Sequence, residues 1–443
     1  MFLLKTPFAT SHISCITSSF PDTMTHLYST IRCSKCGREY TIDDVPPNDG
    51  CGGRIEFLLD VEAAREIITR ESFRRTATGL WRYADLMPIT DNRAVVTLGE
   101  GNTPFLRAER LGELMGLRHL YLKNETVNPT GSFKDRPICV GVIRAMQDKS
   151  HTVVAASSGN AAASMAAYAA RTGLRAVVFV PSTVPSGKLV QLLVLGANVF
   201  RVREEEKGVD PTTQLLWDVN GMAGWAPVPS FGPFNGFQFE GTKSLGYEIA
   251  EDMRWQTPDW ILFPTGSGGL LAGTMKGFME FEQIGLIDEM PRPVVVQPEG
   301  CAPVVRAHLD SLTDQIEPWG PTSTICGGLA DPTPWDGDAA LWYLRCTNGE
   351  AVSVSDEEVL RWLVQLARHE GVFAEPSGVA ALAGLIQLVN DGVIDSSDTV
   401  VVPVTGSGFK DIGAAKTQLV EAPIIPPSKD ILLRFLENKS DDR

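Results

Sequence analysis

No stretch of the 443 residues reaches the roughly 18 apolar positions that a bilayer-spanning helix needs. The longest greasy runs, such as residues 399–405, have only the length of a strand. Basic residues are few relative to acidic ones, 39 against 54, for a formal charge of -15. Such a surplus repels a phosphate backbone, so neither nucleic acid nor a membrane is an expected partner. A disulfide framework is also missing. The eight cysteines are scattered, and Cys139, Cys301, Cys326 and Cys346 stand alone in apolar or mixed surroundings. That excludes a secreted disulfide scaffold and points to a reducing compartment, with the cytoplasm expected. No internal repeat occurs. No GxGxxG motif opens an early helix with an acid ~20 residues on, which excludes a nicotinamide-dependent oxidoreductase. Residues 1–23 lack arginine and have no acid before Asp22, though they are rich in Ser and Thr and carry Lys5 and His12. The missing arginine argues against an organelle transit peptide. Residues 1–23 are therefore expected to be a flexible extension, with targeting as the alternative and Met24 as a second candidate start.

What remains is a globular composition, 43% hydrophobic and 21% charged, long enough for two or three units of ordinary domain size. From about residue 61 onward, strand and helix patterns alternate. Strands are predicted at His151–Ala156, Leu174–Val180, Asn198–Val202, Trp260–Pro264, Pro293–Gln297 and Thr399–Val404. Helices are predicted at Asn160–Thr172, Ser186–Leu195, Leu270–Gln283, Asp356–Glu370 and Gly378–Gly392. Such alternation implies an α/β fold with mostly parallel sheets covered by helices. The catalytic body is expected over 61–420, and 421–443, Pro-rich and charged, as a tail.

Before that body, residues 24–60 carry a Cys33-Ser34-Lys35-Cys36-Gly37 knuckle and a second one at Cys51-Gly52-Gly53. That is the outline of a zinc ribbon. The second knuckle has a single cysteine, and Asn48 stands where its partner would be. Three thiolates are an incomplete set for a tetrahedral site. The expectation is a degenerate ribbon-like element without metal, with Cys33, Cys36 and Cys51 as the candidate ligands.

In open α/β sheets, ligands sit in loops at the carboxyl ends of strands. Four loops are rich in small and polar residues: 128–137 around Lys134, Ser157-Ser158-Gly159-Asn160, Thr265-Gly266-Ser267-Gly268-Gly269, and Thr405-Gly406-Ser407-Gly408. A lysine in a desolvating pocket can act as a nucleophilic amine. Strand-to-helix turns present free N–H groups to carboxylate or phosphate. Each loop alone also reads as an ordinary turn.

Together and in this order, the loops resemble the threonine synthase branch of the tryptophan-synthase-β-like, fold type II pyridoxal-5'-phosphate (PLP) enzymes. The resemblance runs from about Arg32 to Asp411. It includes Gly99-Glu-Gly-Asn-Thr-Pro104, Glu240-Gly-Thr-Lys-Ser-Leu-Gly-Tyr247 and Glu375-Pro-Ser-Gly378 as well as the four loops. It implies a two-lobed PLP-dependent lyase, with a smaller mobile lobe over about 137–235, acting on a small amino-acid substrate. It further implies that Lys134 holds PLP as a Schiff base and serves as acid–base group. Asn160, Gly266, Ser267, Gly268, Gly269 and Thr405 would hold the cofactor. Thr103, Ser132, Ser157, Ser158, Gly159 and Gln238 would meet the substrate. A homodimer is expected from the prevalence of such oligomers.

Two departures concern the substrate. Threonine synthases generally carry an arginine for the substrate phosphate where Gln238 stands. A neutral amide in place of that cation costs about 2–3 kcal/mol of phosphate affinity, unless Lys188 or Lys243 supplies the charge. Ala161 also follows Asn160 where a threonine is usual. The expected reaction is O-phosphohomoserine to threonine and phosphate. The alternatives are β-elimination or β-replacement on a serine- or threonine-like substrate, as in dehydratase or cysteate-synthase-like activities, and a PLP-binding protein without turnover.

Overall fold

The computed structural model describes residues 27–439 apart from 75–78, 92–94, 185, 205–209 and 311–314. The expectations for residues 1–23 and for Met24 lie outside the described residues. The chain starts with a three-stranded antiparallel ribbon, β1 (Tyr28–Cys33), β2 (Glu39–Tyr40) and β3 (Ile55–Leu59), in the order β2-β1-β3. Alternate residues of β3, namely Ile55, Phe57 and Leu59, are buried, as a one-sided sheet requires. The buried face docks onto the body. The Phe57 ring lies 4.9 Å from that of Phe237, and Lys276 Nζ donates to the Phe57 carbonyl at 2.7 Å. Asn48, read above as a lost ligand position, instead donates to the Phe234 carbonyl at 2.7 Å and pairs with Asn220. It is a docking residue. The expected three-member ligand set also needs correction, because Asp49 joins the three sulfurs.

Beyond the ribbon come β4 (Phe105–Arg107), β5 (His119–Asn124), β6 (Thr152–Ala156), β7 (Arg175–Pro181), β8 (Asn198–Val202), β9 (Trp225–Pro227), β10 (Trp260–Pro264), β11 (Arg292–Pro298), β12 (Glu350–Val354) and β13 (Thr399–Val404). Two sheets result, a larger one ordered β12-β11-β10-β13-β5-β4 and a smaller one ordered β8-β7-β6-β9. Every pairing in them is parallel except β4 with β5. The α/β expectation therefore holds with one antiparallel edge added. Strand β10 is buried along its whole length. Helices cover both faces, as a doubly covered parallel sheet requires. The smaller sheet is drawn wholly from residues 152–227. The segment 421–443 is not a plain tail, because Lys429–Lys439 is helical.

Two groups of buried ions tie the layers together. Arg136, fully buried, reaches Glu125 and Glu248, and Lys123 pairs with Glu248 at 2.9 Å. Lys243 pairs with Glu240 at 2.8 Å and Glu280 at 3.0 Å, and Lys276 also pairs with Glu240. Close backbone approach accompanies them. A Cβ on Gly241 would lie 2.3 Å from the Arg136 carbonyl oxygen, so only glycine fits there.

Candidate active site

Loops from the carboxyl ends of β5, β10 and β13, neighbours in the larger sheet, meet the loop after β6 of the smaller sheet. Between them lies a cavity of about 920 Å³, within the range of small-molecule sites. Four helices begin on its wall: Asp135–Gln147 after Lys134, Asn160–Thr172 after Gly159, Gly269–Gln283 after Gly268, and Pro376–Asn390 after Glu375. None of the four has a side chain capping its first turn. At the helix after Lys134, Asp135 N and Arg136 N are taken by the Ser132 and Phe133 carbonyls and Pro137 has no N–H, and the helix after Glu375 opens with Pro376. The N–H groups and positive dipole ends at the starts after Gly159 and Gly268 therefore make the cavity an anion site before any side chain is counted.

Lys134 sits at the inner wall. Burial lowers its pKa to about 8, opposed by the negative charges of Asp336 and Asp331. Its Nζ donates to Ser230 Oγ at 2.5 Å and lies 4.8 Å from the Phe133 ring centroid. The loop that carries it is stitched to its neighbours through the backbone. Phe133 N donates to the Thr405 carbonyl at 3.0 Å, and Ser407 N to the Gly131 carbonyl at 2.9 Å. Glu375 N in turn donates to the Gly406 carbonyl at 3.0 Å. The next residue, Asp135, is fully buried and accepts from Thr130 N, Thr130 Oγ1 and Ser164 Oγ. With Arg136 fixed in its ion group, the amine projects from an anchored segment. That is what precise positioning of a reactive group requires.

The glycine loop after β10 has a different support. Gly268 has φ +98°, and a Cβ there would lie 2.6 Å from the Asp336 carbonyl oxygen. Asp336 N donates to the Ser267 carbonyl at 2.8 Å, and its buried carboxylate accepts from Gly232 N. Burial raises the Asp336 carboxyl above its ordinary range, while Arg54 pulls it back. Arg54 Nη1 stands 3.3 Å from the carboxylate. A residue of the ribbon thus braces the loop from below.

Of the predicted residues, Lys134, Ser157, Ser158, Gly159, Asn160, Gly266, Ser267, Gly268 and Thr405 line the cavity. One N–H of the Asn160 amide is engaged by Glu375 Oε1 at 2.7 Å, which leaves the other for a ligand. The remaining four are placed elsewhere. Gly269 lies just behind, beside a small void that it shares with Gln238. Thr103 is buried, and its hydroxyl donates to Glu125 Oε1 and accepts from Arg136, so it serves the ion group. Ser132 is fully buried and pairs by backbone with Gly406, away from the cavity. Gln238 is 1% exposed, and its Oε1 accepts from Ser230 N at 2.9 Å. It holds Ser230, a non-glycine residue at φ +73°, against Lys134, and it does not face the cavity. Lys243 is committed to its two glutamates and cannot serve a ligand, and the Lys188 side chain lies outside the described residues.

Sequence reasoning missed Asp331, Glu375 and Lys410 as wall residues, and Ser230 as the partner of Lys134 Nζ behind the wall. Burial pushes the Asp331 carboxyl up to about 7. The half-buried Lys410 lines the outer wall, 3.5 Å from Gln191 Oε1, with its pKa lowered by burial. Lys410 lies two residues beyond the Thr405–Gly408 loop, so the loop that marks the site also leads to it.

An amine of reduced basicity, a glycine loop at an uncapped helix start and further free N–H groups opposite fit an aldehyde cofactor bearing a phosphate. The chain indeed belongs to the pyridoxal-phosphate-dependent enzyme family, whose model matches residues 96–406. It is a PLP-dependent enzyme of the lyase type, and its place in the family is with the threonine synthases. It is 36% identical over 408 residues to the threonine synthase of Methanocaldococcus jannaschii, covering 92% of this chain and 99% of that one. It is 35% identical over 346 residues to that of Mycobacterium bovis, covering 78% and 91%. Among solved structures, maize serine racemase superposes with a TM-score of 0.60 at 20% identity, covering 71% of this chain and 91% of that one. An L-serine ammonia-lyase from Rhizomucor miehei also gives 0.60 at 20% identity, covering 71% and 96%. At those identities the likeness is one of fold.

Proposed function

We propose that this chain is a threonine synthase, converting O-phospho-L-homoserine and water to L-threonine and phosphate. The observation that carries the proposal is the cavity itself, in which one buried amine shares the space with two helix starts that offer free N–H groups, after Gly159 and after Gly268. Such a site suits a cofactor phosphate and a doubly anionic substrate together. Two curated relatives that match most of the chain bear the same name.

PLP, when bound, draws electrons from the substrate carbon beside the amine and makes its proton labile. The chain supplies the rest. Lys134, its basicity lowered by burial, takes that proton and returns it. The backbone N–H groups of 266–269 would hold the cofactor phosphate, and the Thr405 hydroxyl would serve the ring nitrogen. Ser157, Ser158 and Gly159 hold the substrate carboxylate, with the free N–H of Asn160 turned to the cofactor. Lys410 supplies the cation for the substrate phosphate that Gln238 cannot. Asp331 can hold or release a proton near neutral pH in the same space. The lobe over about 137–235 closes on the substrate and excludes bulk solvent, while the one water that adds to the substrate stays inside. The enzyme acts as a homodimer in the cytoplasm. The unpaired state of the described cysteines suits a reducing compartment.

The test is to give O-phospho-L-homoserine to the PLP-loaded protein and to assay phosphate and threonine, with Lys134→Ala as control. Equal amounts of both products, absent in the control, support the reading. One observation favours β-elimination on an unphosphorylated substrate, namely that no arginine is among the described residues lining the cavity. Keto acid from serine or threonine, with no phosphate released from phosphohomoserine, would select that reading instead.

A further inference from the structure

The ribbon carries chemistry that the cavity does not use. Cys33 ends β1, Cys36 stands in the turn after it, and Asp49 and Cys51 stand in the loop before β3. The three Sγ atoms and a carboxylate oxygen of Asp49 all lie within 4.8 Å of one another. Cys33 Sγ is 3.3 Å from Cys51 Sγ, and Cys36 Sγ donates to Asp49 Oδ2 at 2.9 Å. In a tetrahedral zinc site with sulfur bonds of about 2.3 Å, neighbouring sulfurs stand roughly 3.8 Å apart. Moving the four groups onto an ion therefore takes shifts of about 1 Å or less.

We propose that Cys33, Cys36, Asp49 and Cys51 bind one zinc ion in a closed structural site. The surroundings are arranged for that use. Cys51 N donates to Asp49 Oδ1 at 3.0 Å, which turns Oδ2 toward the sulfurs. Lys35 N points at Cys33 Sγ at 3.5 Å, as a backbone donor to a thiolate would. Gly37 at φ +71° and Gly52 at φ +81° follow Cys36 and Cys51, and each lets the chain curl around its sulfur. A Cβ on Gly53 would lie 2.5 Å from Cys33 Sγ, so the second knuckle can pass the first only as glycine. Three soft thiolates with one carboxylate select zinc over magnesium or calcium. Four protein ligands leave no open position, so the ion takes no part in turnover. Thiol protons leave as it binds. The site fastens the loop from which Arg54 reaches Asp336, and so steadies the floor of the glycine loop.

The test uses the full-length protein, purified reduced and without chelator. Metal analysis is expected to give one zinc per chain. Cys36→Ser and Asp49→Ala should each lose it while retaining the absorbance of the bound cofactor. Cobalt exchanged into the site should give a thiolate charge-transfer band, and Asp49→Cys should strengthen that band at unchanged stoichiometry. Three outcomes would overturn the proposal. The reduced wild-type protein could fail to take up stoichiometric zinc even when zinc is added. The Cys36→Ser, Asp49→Ala double variant could keep undiminished zinc. Mass analysis of protein purified under reducing conditions could reveal a Cys33–Cys51 disulfide in place of a metal.

Discussion

Replacing Arg54 with methionine removes the cation beside Asp336 and keeps most of the side-chain volume. The Asp336 carboxylate is 1% exposed and Arg54 is 7% exposed, so neither group is well screened. Asp338, the other carboxylate at 3.3 Å, is 66% exposed and contributes little. A buried carboxylate stripped of its cation costs about 3–5 kcal/mol. The carboxyl can escape part of that cost by taking up a proton, at about 1.4 kcal/mol for each pH unit above its unfolded pKa, up to its folded pKa. Burial already raises that pKa and Arg54 opposes the rise, so the substitution raises it further. An acid with a raised folded pKa loses stabilisation as pH increases. The deficit of Arg54→Met should therefore grow with pH between the folded pKa of Asp336 in the wild type and its higher value in the variant, by about 1.4 kcal/mol for each pH unit of that window, and be level above it. Urea unfolding of the cofactor-free protein across a pH series from about 4 to 8 measures it, with Arg54→Lys as the charge-preserving control. A deficit that stays the same across the whole series would refute the electrostatic account. The loss would then lie in the packing of the guanidinium over Phe239, 5.0 Å from that ring's centroid.

Three further outcomes follow from the cavity. Lys134, lowered to about 8 by burial, gains its neutral form as pH rises through that value, so the cofactor-free enzyme should capture PLP faster across that range. Asp331→Asn removes one of the charges opposing the shift and should move the midpoint to lower pH, read from Schiff-base absorbance against time. Gly268→Ala forces a side chain into φ +98° against the Asp336 carbonyl. The strain of roughly 1–3 kcal/mol should weaken PLP binding by about 5- to 150-fold in a fluorescence titration. Lys410→Ala should raise KM for O-phospho-L-homoserine by about 10- to 100-fold, the value of a charged hydrogen bond, while the cofactor absorbance stays intact.

The sequence made the alternating strands and helices of the body legible because parallel strands are short, uniformly apolar and followed by small-residue turns. Helices Asn160–Thr172 and Asp356–Glu370 and strands Asn198–Val202, Trp260–Pro264 and Thr399–Val404 coincide with their predicted bounds. Strand β4, only three residues long and antiparallel, carries too little pattern to announce itself. The cavity loops were readable only as a set, since each alone is an ordinary strand-to-helix turn and it is their order along the chain that resembles one family. Thr103, Ser132 and Gln238 were misplaced because linear neighbourhood does not say which way a side chain points. Asp331 and Arg54 were missed because their roles depend on partners far along the chain, and nothing local marks a carboxyl as desolvated. Asp49 was passed over because a CxxC template looks for sulfur and does not count a carboxylate one turn away.

The ribbon leaves the ribosome before the body, and its docking partners are made late. Lys276 lies 219 residues beyond Phe57, and Asp336 lies 282 residues beyond Arg54. At about 5–20 residues per second, that separation is a wait of roughly 10–60 s. During it, Phe57 and its neighbours on β3 lack the partners that cover them in the finished fold. An element that must keep its shape for that long gains most from a clamp made entirely of its own residues. All four sulfur and oxygen donors lie between Cys33 and Cys51, complete before the first residue of the body is translated.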